Sequence, residues 1–196
     1  MARPKRSTAD TLAMRDSLCA AALALYRQEG EAGLSLRRIA DVAGCSHTLP
    51  YRYFANKSAL LTAMRASATR TFERELRQQH QAQASPADQL RQLGHAYLAF
   101  VRSHPADYQL LTTPGESPSA ELRAARESLF GYAQQLVEQA VQAGALAGDA
   151  ATIAHLFWAG LHGLIQLDLN QQLMAGCSLD ALLPELMDRL LQSAPG

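Results

Sequence analysis

The segment LSLRRIADVAGCSHTLPYRYF, residues 34–54, decides how the N-terminal part of the chain folds. Leu36 and Ile39 are spaced to face the same side of a short helix, and Ser35 immediately before them is a favourable N-cap residue. Gly44 can adopt a positive φ angle and end that helix. We therefore predict a short helix followed by a sharp turn.

A second short helix is predicted over residues 47–53, with Ser46 as its N-cap. Pro50 would be the fourth residue of this helix, where it removes at most one hydrogen bond and costs far less than the ~3 kcal/mol of a mid-helix proline. Its ring would support the exposed face from below. The alternative, which Pro50 alone would permit, is an irregular loop over 46–54. Two short helices joined by a glycine-containing turn form a helix-turn-helix.

Composition and charge point to a globular protein whose first third meets a polyanion. The chain has 196 residues, 48% of them apolar, so it can form one domain or a small domain fused to a larger one. Residues 1–70 carry 11 Lys and Arg against 5 Asp and Glu, and residues 71–196 carry 7 against 13. These charges of +6 and −6 favour nucleic acid as the partner of the first part, although chance clustering of surface charge is the alternative.

The three cysteines predict reduced thiols in a cytoplasmic protein. Cys19, Cys45 and Cys177 lie far apart and lack the paired spacing of a disulfide framework or a zinc site.

The whole chain is predicted to be all-α, because apolar residues recur at three- and four-residue spacing throughout. About nine helices are expected, near residues 9–29, 36–43, 47–53, 57–80, 86–103, 105–112, 119–143, 149–173 and 179–192. Residues 150–167 are long and apolar enough to be a membrane-span candidate. Their polar side chains and the absence of basic flanks favour a buried helix of a soluble protein, so no membrane partner is expected.

The N-terminal segment resembles the DNA-binding domain of the TetR/AcrR family of bacterial transcription regulators. The residues that carry the resemblance are Leu18, Ala21, Ala22, Leu25, Tyr26, Gly30, Leu34, Ser35, Ile39, Ala40, Ala43, Gly44, Ser46, Tyr51, Tyr53, Phe54, Lys57 and Leu60. The family usually has Leu or Ile at Pro50 and a small residue at Leu49. The C-terminal half resembles the TetR-type domain named for its Trp-His-Gly signature, here Trp158, His162 and Gly163.

The resemblance implies a three-helix helix-turn-helix DNA-binding domain over 1–56 and a connecting helix at 57–80. A C-terminal helical domain for ligand binding and dimerisation would follow over 81–196. The protein would be a cytoplasmic repressor that binds a palindromic operator in double-stranded DNA as a homodimer and is released by a small apolar effector. Activation in place of repression stays open, because the position of the operator decides it.

The expected DNA contacts combine the resemblance with side-chain chemistry. They are Ser35, Arg37, Ser46, His47, Thr48, Leu49, Tyr51, Arg52, Tyr53 and Lys57. Arg52 suits a guanine or a phosphate, and Leu49 suits a thymine methyl group. Lys57 opposes the macrodipole at a helix N-terminus, which makes sense if it binds a phosphate there. The basic arm MARPKRS at 1–7 either follows the DNA or is a disordered tail.

The apolar helix predicted over 149–173 indicates a homodimer. Because it is apolar almost all the way round, it needs burial on more than one side. Ala159, Gly160 and Gly163 are small enough for a second helix to come close. We therefore predict a four-helix bundle between subunits, formed by this helix and the one over 179–192 of both chains.

The effector pocket is expected among aromatic side chains of the C-terminal half, although core packing explains each of them equally well. These side chains are Tyr97, Phe100, Tyr108, Phe130, Trp158 and His162.

No catalytic residue, metal site or cofactor is predicted, because no nucleophile–base pair, phosphate loop or metal-ligand cluster is evident. The protein is therefore not expected to be an enzyme. One rival hypothesis is an enzyme that uses Cys177 or a histidine, and another is an architectural protein without an effector.

Overall fold

The computed structural model describes residues 8–113 and 118–192, and within these ranges the chain is entirely helical. The all-α prediction is confirmed. The helices are α1 (Thr8–Glu29), α2 (Leu36–Val42), α3 (Lys57–Gln78), α4 (Pro86–Ser103), α5 (Pro105–Thr112), α6 (Ala120–Gln142), α7 (Ala150–Leu169) and α8 (Leu179–Leu191). Two 3-10 helices, Glu31–Gly33 and Pro50–Arg52, lie in the connections. The basic arm at 1–7 lies outside the described residues.

The chain divides into two compact units. The first comprises Met1–Thr71 and His104–Arg126, and the second comprises Phe72–Ser103 and Glu127–Gly196. Helix α3 therefore contributes to both units. The predicted domain limits at residues 56 and 80 stay a proposal.

The first unit is built around an apolar core from α1, α2, α3 and α5. Its fully buried side chains include Ile39, Phe54, Leu60 and Met64. At the end of α2, Ala43 packs against this core, whereas Val42 is exposed.

Two sets of ion pairs fasten α5 and α6 to the helices of the first unit. Arg27 on α1 makes a bidentate pair with Asp107 on α5, whose side chain is only 1% exposed. Glu121, in the first turn of α6, binds Arg15 on α1 through both oxygens and Arg70 on α3 through one. Two arginines on one carboxylate fix the start of α6 against α1 and α3.

These two arginines lower the pKa of Glu121. Partial burial would by itself raise the pKa of this carboxyl, but the hydrogen bonds from Arg15 and Arg70 outweigh it and hold the pKa below its ordinary value of 4.5. A carboxyl whose pKa is lower in the folded state stabilises the fold above its unfolded pKa. That stability is lost as the pH falls through the folded pKa.

Glu121→Gln is therefore expected to lower the free energy of unfolding by about 1–2 kcal/mol near neutral pH. The difference from the wild type should shrink as the pH falls below 4.5 and the wild-type carboxyl takes up its proton. Urea unfolding over a pH series measures both effects. Glu127→Gln, which neutralises an exposed carboxylate on the same helix, is the control and should leave stability unchanged. A Glu121→Gln deficit that persists undiminished in acid would contradict this account.

The second unit packs α4, α7 and α8 together. Gly160 on α7 faces α8 closely, because an added Cβ would lie 3.0 Å from the side chain of Leu186 on α8. Gly94 on α4 is close to Met187 in the same way. Gly160 thus serves packing within the subunit, while the Cβ position of Gly163 has no neighbour within 4 Å.

Helix α7 exposes much of its apolar surface. It buries Ala154, Phe157, Leu161 and Ile165 within the unit, but leaves Leu156, Trp158, Leu167 and Leu169 exposed. Among the described residues it is the one helix long and apolar enough to cross a membrane, by length and composition only. The same two properties suit a helix that a second subunit covers.

Candidate nucleic-acid interface

The segment that follows α2 is a turn and then a 3-10 helix over Pro50–Arg52, so the short helix predicted over 47–53 is present only in part and in 3-10 form. Gly44 ends α2 with φ of 64°, as predicted. The next backbone hydrogen bonds span three residues, from Leu49 N to Ser46 O and from Arg52 N to Leu49 O. Because Pro50 has no N–H, it cannot donate the first α-helical bond to Ser46 O, and the tighter 3-10 form results.

Of the two predicted N-cap residues, one is confirmed and one is wrong. Ser35 caps α2 as predicted, since its hydroxyl accepts from Arg38 N at 3.2 Å. The predicted cap at Ser46 is wrong, because its hydroxyl lies 3.3 Å from that of Thr48 and caps no helix. Asn56, which was not predicted, caps α3 by accepting from Ala59 N at 2.8 Å.

The turn and the 3-10 helix present a polar surface on an apolar support. Pro50 and Phe54 are buried beneath it, which confirms the supporting position of Pro50. The predicted DNA contacts that are exposed are Arg37, Ser46, His47, Thr48, Tyr51 and Arg52. Those that are half-buried are Ser35, Leu49, Tyr53 and Lys57. Tyr51 is 60% exposed, unusually so for a large aromatic side chain.

Two further predicted contacts, His47 and Lys57, are also engaged within the chain. His47 Nε2 lies 2.6 Å from Asp41 Oδ1. Lys57 Nζ donates to the Glu31 main-chain oxygen at 2.6 Å and lies 3.9 Å from the Glu31 carboxylate. The 3-10 helix that carries Glu31 thus gives Lys57 a partner at the start of α3.

A third pair was missed from the sequence. Arg38 binds both carboxylate oxygens of Glu29 and the main-chain oxygen of Gly33. It ties the end of α1 to α2, although its side chain is exposed like that of its neighbour Arg37. The two arginines are adjacent in the sequence, which gave no signal for which of them would form an ion pair within the fold.

The six predicted effector residues fall into three places. Tyr97 and Phe100 are buried against Phe72, with ring centroids 4.8 and 4.4 Å away. Tyr108 is buried in the first unit. The other five predicted effector residues, including Tyr97 and Phe100, belong to the second unit.

The remaining three effector candidates form a partly exposed aromatic cluster on α6 and α7. Phe130 and His162 each lie 6.3 Å from Trp158, measured between ring centroids. His155, which was not proposed as a ligand residue, stacks 4.3 Å from Phe130. Burial lowers the pKa of His162, so its ring is neutral at neutral pH.

A small groove in the second unit, about 160 Å³ with open solvent included, contains none of the six predicted effector residues. It is lined by Leu76, Gln79, His80, Gln89, Gln92, Leu93 and Tyr132.

The described ranges hold no cluster of three or more His, Cys, Asp or Glu side chains able to bind a metal ion. Burial raises the pKa of Cys19 to about 11, so this thiol is protonated inside the first core. Cys177 is exposed and Cys45 is half-buried.

A basic N-terminal part and an exposed polar turn beside a short capped helix define a helix-turn-helix DNA-binding protein. Comparison with known families gives the same class. Residues 18–64 match the family model of bacterial regulatory proteins of the tetR family, and residues 90–190 match the tetracyclin repressor-like C-terminal domain. The chain belongs to the TetR family of transcription regulators.

Individual relatives are more distant. An uncharacterised HTH-type transcriptional regulator of Mycobacterium tuberculosis is 31% identical over 118 residues, which are 60% of this chain and 58% of the relative. A protein of unknown function from Rhodococcus sp. RHA1 has a similar structure, with a TM-score of 0.78, 26% identity and coverage of 93% of this chain and 96% of that one. The fatty acid degradation regulator FadR of Bacillus halodurans shares the fold at 16% identity, with a TM-score of 0.71 and coverage of 96% and 97%.

Proposed function

We propose that this regulator is a cytoplasmic repressor that binds a palindromic operator as a homodimer and is released by a small apolar effector. The observation that carries DNA recognition is the exposed turn from Ser46 to Arg52, held over buried Pro50 and Phe54. Its hydroxyls, imidazole and guanidinium match phosphate oxygens and base edges in the major groove. The half-buried Tyr53 and Lys57 would bind the phosphate backbone of the DNA beside this turn.

The exposed apolar stripe of α7 supports the homodimer. Leu156, Ala159 and Leu167 are exposed on this helix, and Gly163 is open to a close neighbour. Small side chains four residues apart let two helices approach closely, and a twofold axis would bring the same stripe of a second copy against it. Two turns would then face successive major grooves of one operator.

The effector role is supported by the aromatic side chains of the second unit. Apolar pockets with a few polar groups bind small ligands, and the cluster of Phe130, Trp158 and His162 has this chemistry. Release from DNA requires an effector that binds one conformation better than the other, by about 1.4 kcal/mol for each tenfold change in affinity.

The DNA assignment is tested with a duplex selected from random sequences by the wild-type protein. Tyr51→Phe should weaken binding of that duplex about tenfold, because it removes one hydroxyl donor to a charged phosphate. Lys57→Ala should also reduce the salt dependence by about one phosphate contact. Gel shifts at several salt concentrations measure both quantities.

Arg189→Ala is the control for the lost charge, since Arg189 is exposed on α8 in the second unit. It should leave affinity and salt slope unchanged. The assignment is abandoned if Tyr51→Phe and Lys57→Ala both bind the duplex like the wild type.

A further inference from the structure

Asp41 occupies a position where a carboxylate is unfavourable on two counts. It lies in the last turn of α2, where a negative charge opposes the helix macrodipole. It is also 60% exposed beside the turn proposed to approach the phosphate backbone. Neither the fold nor DNA binding by itself favours an acid there.

The side chain of Asp41 is hydrogen-bonded to His47 in this surface. The turn through Gly44 brings the two side chains together, and their hydrogen bond is 2.6 Å long between Asp41 Oδ1 and His47 Nε2. Both side chains are more than half exposed, so the pair contributes little to folding. Its effect must be sought in what His47 can bind.

The number of hydrogen-bond donors on His47 decides whether it can bind Asp41 and DNA at the same time. A neutral imidazole carries one N–H donor, and a carboxylate only accepts. The hydrogen on Nε2 is therefore donated to Asp41, and Nδ1 is left as an acceptor. Phosphate oxygens and guanine N7 and O6 are acceptors as well, so a neutral His47 cannot donate to DNA while it is bound to Asp41.

We infer that Asp41 is an intramolecular competitor of DNA for His47 and lowers the affinity of the protein for its operator. The carboxylate takes the hydrogen bond that a phosphate or a guanine would take. This inference rests on the proposed role of His47 in DNA contact. Lys57 differs from His47, because its ammonium has three donors and its main-chain partner Glu31 O leaves two for a phosphate.

The test compares Asp41→Ala with the wild type on the selected duplex at about pH 8. Asp41→Ala should bind about three- to tenfold more tightly, because one hydrogen bond to a charged group no longer has to be broken. Alanine is also the better residue in a helix, so the fold should be kept, and thermal unfolding checks this.

Two variants separate competition for His47 from a general charge effect. In a His47→Ala background, Asp41→Ala should give no further gain in DNA affinity, since there is no imidazole left to release from Asp41. Glu31→Gln removes one negative charge from the same unit, and the hydrogen bond between His47 and Asp41 does not involve Glu31. Any gain in DNA affinity from Glu31→Gln should therefore be equal in the wild-type and His47→Ala backgrounds. The inference is overturned if Asp41→Ala binds no more tightly than the wild type, or if its gain survives loss of His47.

The pair can also be tested without DNA. The ring signals of His47, identified by their loss in His47→Gln, should shift in the NMR spectrum of full-length Asp41→Ala, and unchanged signals would overturn the inference. If the wild type binds no duplex from the selection, the proposed function fails and the competition with it. If the wild type binds and only the predicted gain is missing, the proposed function stands and this inference alone fails.

Discussion

Gly163→Trp is expected to convert the homodimer to a monomer and to reduce operator affinity at least about 100-fold. In the dimer, a subunit bound to one half-site holds the second subunit at high effective concentration near the other half-site, and a monomer loses this advantage. The Cβ position of Gly163 has no neighbour within 4 Å in the subunit, so the indole can be accommodated in the monomer. Between two copies of α7, however, it would hold the helices apart. Light scattering gives the oligomeric state, and gel shifts give the affinity.

Gly131→Trp is the matched control. Gly131 is an exposed glycine on α6, and its Cβ position is likewise without a neighbour within 4 Å. This variant should remain dimeric and bind the operator. Should Gly163→Trp stay dimeric, the exposed stripe of α7 is not the interface between subunits.

Phe54→Ala is expected to lower the free energy of unfolding by about 3–5 kcal/mol, a large share of the roughly 5–15 kcal/mol of a typical domain. Phe54 is 2% exposed in the core of the first unit, and the Arg15 guanidinium lies 5.6 Å from its ring centroid. Its amide also donates to Pro50 O at 2.9 Å, a four-residue bond that follows the 3-10 bond from Tyr53 N to the same oxygen. Urea unfolding of the full chain measures the loss.

Tyr51→Ala provides the opposite case three residues away. Tyr51 is exposed, so its removal should change the free energy of unfolding by less than about 0.5 kcal/mol while DNA affinity falls. Equal destabilisation by the two substitutions would show that Phe54 does not anchor the turn.

The features that could be predicted from the sequence are those fixed by neighbouring residues. The Ser35 cap, the positive φ of Gly44 and the buried Pro50 each depend on a few adjacent positions. The all-α class was equally accessible, because it follows from the spacing of apolar residues along the whole chain.

The features that were missed depend on contacts made by the folded chain. The interpretation of 47–53 as a helix counted the hydrogen bond lost at Pro50 as a small cost, yet within that range only Pro50–Arg52 is helical, in 3-10 form. The pairing of His47 with Asp41 depends on the angle of the turn, and the partner of Lys57 lies 26 residues earlier. Their small size gave Gly160 and Gly163 the same expected closeness to a second helix, whereas within the subunit Leu186 lies near only Gly160 of the two.

The shape of the turn has a consequence for protein engineering. Its backbone is set by Gly44, Pro50 and Phe54, none of which is among the proposed DNA contacts. The exposed side chains of His47, Thr48 and Arg52 can therefore be randomised in a library with little loss of folded protein. Such a library would let this scaffold be retargeted to new operators, provided the three supporting residues are kept.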